Sequence, residues 1–292
     1  MGKGGGDLCQ KHTTRVVPMS QPYTPITGID THAHIFSRDL PLTENRRYSP
    51  DYDALVESYL AHLEHCGLSH GVLVQPSFLG TNNNFMVGAL RVYPERLRGT
   101  AVVDSEVSDA ELNELEKAGV VGVRLNLVGL PLEDYSQPRW QTFFKKMADR
   151  NWSVEIQRAM EDLCLIVPTL LDAGVNVVID HFGLPAGCID PETPEHQTFL
   201  SLLPDSAIWV KLSATYRSKA SLEQATQMVD ILRNAYGHSD QLLWGSDWPH
   251  TRFEDQTDYD AQFSIMTSLL PDVLERRKVL VDNPARLFKF KP

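Results

Sequence analysis

The stretch Gly28-Ile29-Asp30-Thr31-His32-Ala33-His34-Ile35 begins as an apolar, strand-like run and ends in polar residues. Side chains alternate between the faces of a strand, so His32 and His34 point the same way and two imidazoles face one space. Seven further short runs rich in apolar or β-branched residues follow: 71–75, 99–103, 121–126, 152–157, 175–180, 208–213 and 242–246. Helical patterns separate them. Tyr52, Leu55, Val56, Tyr59, Leu60 and Leu63 recur at helical spacing and stop at Gly67, and Ser108 with Glu111 makes a capping box ahead of Leu112 and Leu115. Eight strands alternating with helices over about 265 residues place the chain in the α/β class and match the size of a (β/α)8 TIM barrel. The runner-up, an open doubly wound sheet, lacks its usual phosphate loop, since no GxGxxG or Walker-type glycine loop follows the first strand.

No Pro/Gly/Ser linker or composition shift divides the remainder, so residues 26–292 are expected to form one domain. Residues 1–25, rich in Gly and polar residues and carrying Pro18, Pro22 and Pro25, read as a flexible N-terminal arm. Of the 292 residues, 42% are apolar and 22% charged, which excludes a disordered or collagenous chain. The formal charge of −11, from 38 acidic against 27 basic residues, argues against nucleic acid or an anionic membrane as partner. No run reaches the roughly 18 apolar residues a membrane span needs. Cys9, Cys66, Cys164 and Cys188 show no CxxC spacing, so neither a disulfide framework nor a structural zinc cluster is encoded, and a reducing cytoplasm fits best. Composition leaves the oligomeric state open.

In a barrel of this kind the chemistry sits at the C-terminal ends of the strands. His181 ends Val177-Val178-Ile179-Asp180, and Asp247 closes Leu242-Leu243-Trp244-Gly245-Ser246. Taken singly, a strand-end His is more often a satisfied neighbour of the core and a strand-end Asp more often a helix cap. Together with His32 and His34 they converge on one point if the barrel forms, as an acid/base constellation or as ligands of one divalent ion such as zinc or manganese. A two-metal site wants more histidines or a bridging lysine, whereas strand four offers Arg124 and Asn126 and strand five Glu155 and Gln157. A guanidinium beside a divalent cation is unfavourable, so the residues favour a site that requires no metal. In that version the imidazoles and Gln157 polarise a carbonyl while Asp247 takes a proton from water. Arg124 and Arg217 match a planar carboxylate, and Ser77, Thr81 and Asn83 after strand two, with Tyr48 after strand one, are further candidate donors to an anionic substrate. His62, His65, His70, His196 and His238 are given no role.

The segments Ile29–Phe36, Val74-Gln75-Pro76-Ser77, Gly122–Asn126, Val178–Gly183 and Trp244-Gly245-Ser246-Asp247-Trp248-Pro249-His250 together resemble the amidohydrolase superfamily, and within it the 2-pyrone-4,6-dicarboxylate lactonase group. The resemblance runs from about Gly28 to Phe288. It implies a lactone hydrolase of aromatic degradation in which Asp247 activates water, His32, His34 and His181 hold the lactone carbonyl, and Arg124, Arg217, Ser77 and Tyr48 bind carboxylates without added metal. Two departures bear on the substrate. Where that group has a second arginine after the match to Arg124, this chain reads Leu127-Val128-Gly129-Leu130, and Gln157 stands where the group has tyrosine. The expectation is therefore a hydrolase that opens a carboxylated lactone. Its rivals are a metal-dependent decarboxylase similar to the aminocarboxymuconate semialdehyde branch, and a barrel that binds an anion without turnover.

Overall fold

The computed structural model describes Met1 and residues 24–291, so the arm expected over residues 1–25, Cys9 included, lies almost wholly outside the described residues. Eight strands, β1 (Ile29–Ala33), β2 (His70–Val74), β3 (Leu97–Ala101), β4 (Val120–Asn126), β5 (Ser153–Gln157), β6 (Asn176–Ile179), β7 (Ile208–Leu212) and β8 (Leu242–Trp244), pair in parallel in sequence order. Each expected strand is present, its ends moved by no more than two residues. Helices α1 (Val56–His65), α2 (Asn84–Val92), α3 (Asp109–Ala118), α4 (Pro138–Asp149), α5 (Met160–Asp172), α6 (Pro194–Ser201), α7 (Leu222–Tyr236) and α8 (Tyr259–Leu269) follow the strands in turn, giving the (β/α)8 barrel. Ser108 caps α3 by accepting from the Glu111 N–H at 3.2 Å, while the full reciprocal capping box lies at α7, between Ser221 and Gln224.

The main core lies between the strands and the helices around them, where Leu63, Phe144, Val167 and Leu232 are buried. A second cluster fills the N-terminal end of the barrel: Ile29, Val72, Val121, Val178, Trp209 and Leu243 meet Leu287, Phe288 and Phe290 from the end of the chain. This plug makes the barrel floor apolar and leaves polar chemistry to the upper layers.

The ring is joined by β1 and β8 through side chains as well as backbone. The Asp247 N–H donates to the His32 carbonyl at 2.8 Å and the His34 N–H to the Trp248 carbonyl at 2.7 Å. Asp30, fully buried, accepts from Ser246 N–H and Oγ–H at 2.9 and 2.6 Å, from Tyr259 at 3.1 Å and from the His32 N–H at 3.1 Å. Gly245 is needed at this joint. A Cβ there would stand 2.5 Å from His32 Cβ and 2.9 Å from the His32 backbone nitrogen. Gly245→Ala is thus expected to cost roughly 1–3 kcal/mol by overpacking and to displace His32; thermal denaturation beside turnover checks this, and a variant with both at wild-type values contradicts it.

Candidate active site

Period-two alternation stacks the barrel's inward side chains in layers above the apolar floor. The middle layer holds Lys211 from β7, Glu155 from β5, Arg124 from β4, Asp180 just after β6 and His32 from β1, all buried. Lys211 Nζ lies 2.5 Å from Glu155 Oε2 and 3.0 Å from His32 Nδ1, and the Arg124 Nε and Nη2 donate to Asp180 Oδ2 at 3.1 and 2.9 Å. Burial, and then the charge of Asp180, pushes Glu155 up to about 8 against the pull of Lys211 and Arg124. Burial also opposes ionisation of Asp180, but His32, Lys211 and Arg124 outweigh it and hold Asp180 well below the usual carboxylate range. Asp180 is the firm anion of this layer.

Above it, His32, His34, His181 and Asp247 meet. Asp247 Oδ1 lies 3.7 Å from His32 Nε2, 3.7 Å from His34 Nε2 and 3.9 Å from His181 Nε2. Its other oxygen is taken: Arg217 Nε donates to Oδ2 at 2.6 Å and the Tyr216 hydroxyl donates to it as well. Oδ1 has no hydrogen-bond partner, and neither has the Nε2 of His32 or His181. Asp247 also has φ of +60°, a left-handed conformation that Asp tolerates and that turns its carboxylate toward the imidazoles. Burial opposes its charge, yet Arg217 and the surrounding histidines hold it well below the ordinary value, so it is a carboxylate at neutral pH. Burial pushes the histidines the other way. His34 falls below 6.5 and His181 falls to about 4, so these rings are neutral. His34 Nδ1 lies 2.7 Å from the Val74 carbonyl, an acceptor only, so Nδ1 carries the proton and Nε2 presents a lone pair. His181 Nδ1 lies 2.8 Å from Ser213 Oγ.

The pocket above these groups is lined by His34, Tyr48, Ser77, Arg124, Gln157, Arg217 and Asp247, together with Arg47, Asn126 and Arg252. Tyr48 turns its hydroxyl to Glu254. The two expected arginines are matched internally, Arg124 by Asp180 and Arg217 by Asp247. Thr81 and Asn83 are not brought to this pocket. Asn83 is spent on the turn itself, donating to the Thr81 and Val102 carbonyls at 3.0 and 2.8 Å, and Thr81 lines a separate surface hollow with Glu111.

Several residues of the site were missed from sequence. Lys211 had a signal, a charge in phase with Trp209 and Ser213 inside the apolar run Ile208–Leu212. Arg47 and Arg252 sit in the loops after β1 and β8, and Tyr216 and His250 follow β7 and β8, positions that only the folded loops define.

His32, His181 and Asp247 fit a single divalent ion by position, because the bare Nε2 atoms of the two histidines and the bare Oδ1 of Asp247 lie within 4.8 Å of one another; His34, the fourth expected ligand, does not join that group, although its Nε2 lies 3.7 Å from Asp247 Oδ1. A second trio of suitable type, His32, Glu155 and Asp180, does not fit one, since the Lys211 ammonium stands among all three, 3.4 Å from Asp180 Oδ1.

The sequence profile of the amidohydrolase family matches residues 29–290. The chain belongs to the amidohydrolase family. Among individual amidohydrolases it is 30% identical over 277 residues, 90% of each chain, to a 2-pyrone-4,6-dicarboxylate hydrolase of Comamonas testosteroni. It is 31% identical over 297 residues to a 4-sulfomuconolactone hydrolase of Rhizobium radiobacter, covering 96% of this chain and 95% of that one. The crystal structure of a "probable 2-pyrone-4,6-dicarboxylic acid hydrolase" from Acinetobacter baumannii with citric acid bound superposes with a TM-score of 0.87 at 42% identity, over 90% of this amidohydrolase and 99% of that chain. No helix among the described residues is long and apolar enough to cross a membrane.

Proposed function

We propose that this amidohydrolase opens a lactone bearing two acidic substituents, with Asp247 as general base. The observation that carries the reading is the division of Asp247: Arg217 and Tyr216 hold Oδ2, leaving Oδ1 bare and aimed at the imidazoles. A water has two protons, and Asp247 Oδ1 and the His34 Nε2 lone pair, 3.7 Å apart, are two acceptors for them. Proton transfer to Asp247 lets the water oxygen add to the ring carbonyl. His32, His181 and Gln157 face the resulting oxyanion, and collapse breaks the ring C–O bond while Asp247 returns its proton to the leaving oxygen. His34 thus departs from its expected part, because the bond to Val74 makes it an acceptor rather than a carbonyl donor. A single zinc or manganese ion, when bound, would be held by His32, His181 and Asp247, with His34 beside them, and would polarise the carbonyl as a Lewis acid; none of the steps above requires it.

The substrate's charge follows from the arginines. Arg124 and Arg217 each have a carboxylate partner, whereas Arg47 and Arg252, both exposed at the pocket mouth, have none within 4 Å among the described residues. Arg47 bonds only the Asn126 amide oxygen, at 2.7 Å. Two unmatched guanidinium groups in a protein of charge −11 call for a dianion. The relatives support this, their names carrying a dicarboxylate and a sulfonated lactone. Such rings support a part in the breakdown of aromatic compounds, and the unpaired Cys66, Cys164 and Cys188 support a cytoplasmic setting.

The test is turnover of lactones with none, one or two acidic groups. The diacid is expected to be preferred, and Arg47→Met and Arg252→Met are each expected to raise its KM roughly tenfold while leaving kcat within a few-fold. Equal turnover of the neutral lactone, or unchanged KM in both variants, would refute the dianion reading. Release of carbon dioxide with near-stoichiometric ion would favour the decarboxylase instead.

A further inference from the structure

The unused charge beneath the site is Lys211. It is fully buried, and its ammonium contacts Glu155, Asp180 and His32 at once. His32 Nδ1 has three neighbours: Lys211 Nζ at 3.0 Å, Asp180 Oδ1 at 3.2 Å and Glu155 Oε1 at 3.4 Å. The two carboxylate oxygens would accept a proton from Nδ1, and the ammonium would donate one to it. Geometry separates them. Asp180 Oδ1 and Glu155 Oε1 stand farther from Nδ1 and both lack a hydrogen-bond partner, whereas the lysine is the nearest of the three and is placed for a hydrogen bond. An ammonium has donors and no acceptor, and a neutral imidazole bonded to it at Nδ1 must carry its proton on Nε2.

We propose that Lys211 is a positioning residue that fixes His32 as the Nε2–H tautomer, and that it thereby makes the His32, His34, His181 and Asp247 cluster a hydrogen-bonding site and weakens it as a metal site. The consequence is chemical. A metal needs a lone pair at Nε2, as His34 offers, while an oxyanion needs N–H. Atoms positioned for an ion are denied one of their lone pairs by a cation sitting a layer below. Without the lysine, Nδ1 would donate toward Asp180, the firm anion, and the free Nε2 lone pair would complete the ligand set.

The experiment uses the full chain, chelator-treated and 15N-labelled at histidine, with His32 assigned by its loss in His32→Asn. Two-bond 1H–15N spectra are expected to place the His32 proton on Nε2. In Lys211→Met combined with Glu155→Gln, which removes the ammonium together with the acid group it is bonded to, the proton is expected to move to Nδ1. Zinc titration of the same sample is expected to show affinity raised roughly 10–100-fold over the wild type, the range that partners behind a ligating histidine command. An Nδ1–H in the wild type overturns the proposal, and that spectrum decides even if the variant does not fold. A folded variant in which either the tautomer or the zinc affinity is unchanged also overturns it. Neither readout uses a lactone, so the outcome is separate from that of the substrate reading.

Discussion

Asp247→Asn is expected to lower kcat on a diacid lactone by roughly 10³–10⁴-fold, the upper range for loss of a positioned general base. The amide keeps the shape of the carboxylate, and its oxygen can still accept from Arg217 and Tyr216 at the place now held by Oδ2. Its NH2 then occupies the position of Oδ1. That group can only donate, so the water loses the acceptor that takes its proton. KM should move much less than kcat, because the free arginines at the mouth are untouched. Stopped-time assays of product formation beside a melting curve separate chemistry from folding; a folded variant with undiminished kcat would remove Asp247 from the mechanism.

Arg124→Met is expected to act first on stability. Its guanidinium is buried and holds Asp180, also buried, through two hydrogen bonds. Removing one partner of such a pair leaves an uncompensated charge and costs about 3–5 kcal/mol, a fall in Tm on the order of 10 °C. The pH dependence has a definite sign. Asp180 is held well below the unfolded carboxylate value of about 3.9, so its contribution is present above that value and is lost as pH falls through the folded one. Without Arg124 the folded value rises, and acid unfolding should begin at higher pH than in the wild type. Arg47→Met and Arg252→Met, exposed and unpaired, should melt with the wild type. An Arg124→Met protein that melts with them would show that Asp180 does not depend on this partner.

The barrel was legible because strands covered on both faces read as continuous apolar runs, and polar residues at the ends of such runs are conspicuous. His32, His34, His181 and Asp247 were found on that ground. Strand ends shifted because pairing, not composition, decides where a strand stops: His34 lies just beyond β1, joined to Trp248 across the seam. Lys211 was passed over because its justification is entirely tertiary, its partner Glu155 lying 56 residues earlier on another strand. Thr81 and Asn83 illustrate the reverse error. Their residue types suit an anion, but the same chemistry closes a turn, and a turn needs no ligand. Arg47 and Arg252 reach the pocket through loop paths that no periodicity encodes.

The seam between the first and last strands sets when the enzyme becomes active as well as how. His32 and His34 emerge early in synthesis, and Asp247 follows more than two hundred residues later on the other side of the joint. A nascent or truncated polypeptide that has laid down seven strands owns the imidazoles, the lysine and most of the arginines, yet it lacks the proposed base. With Asp247 as the proposed base, hydrolysis waits until β8 has docked beside β1.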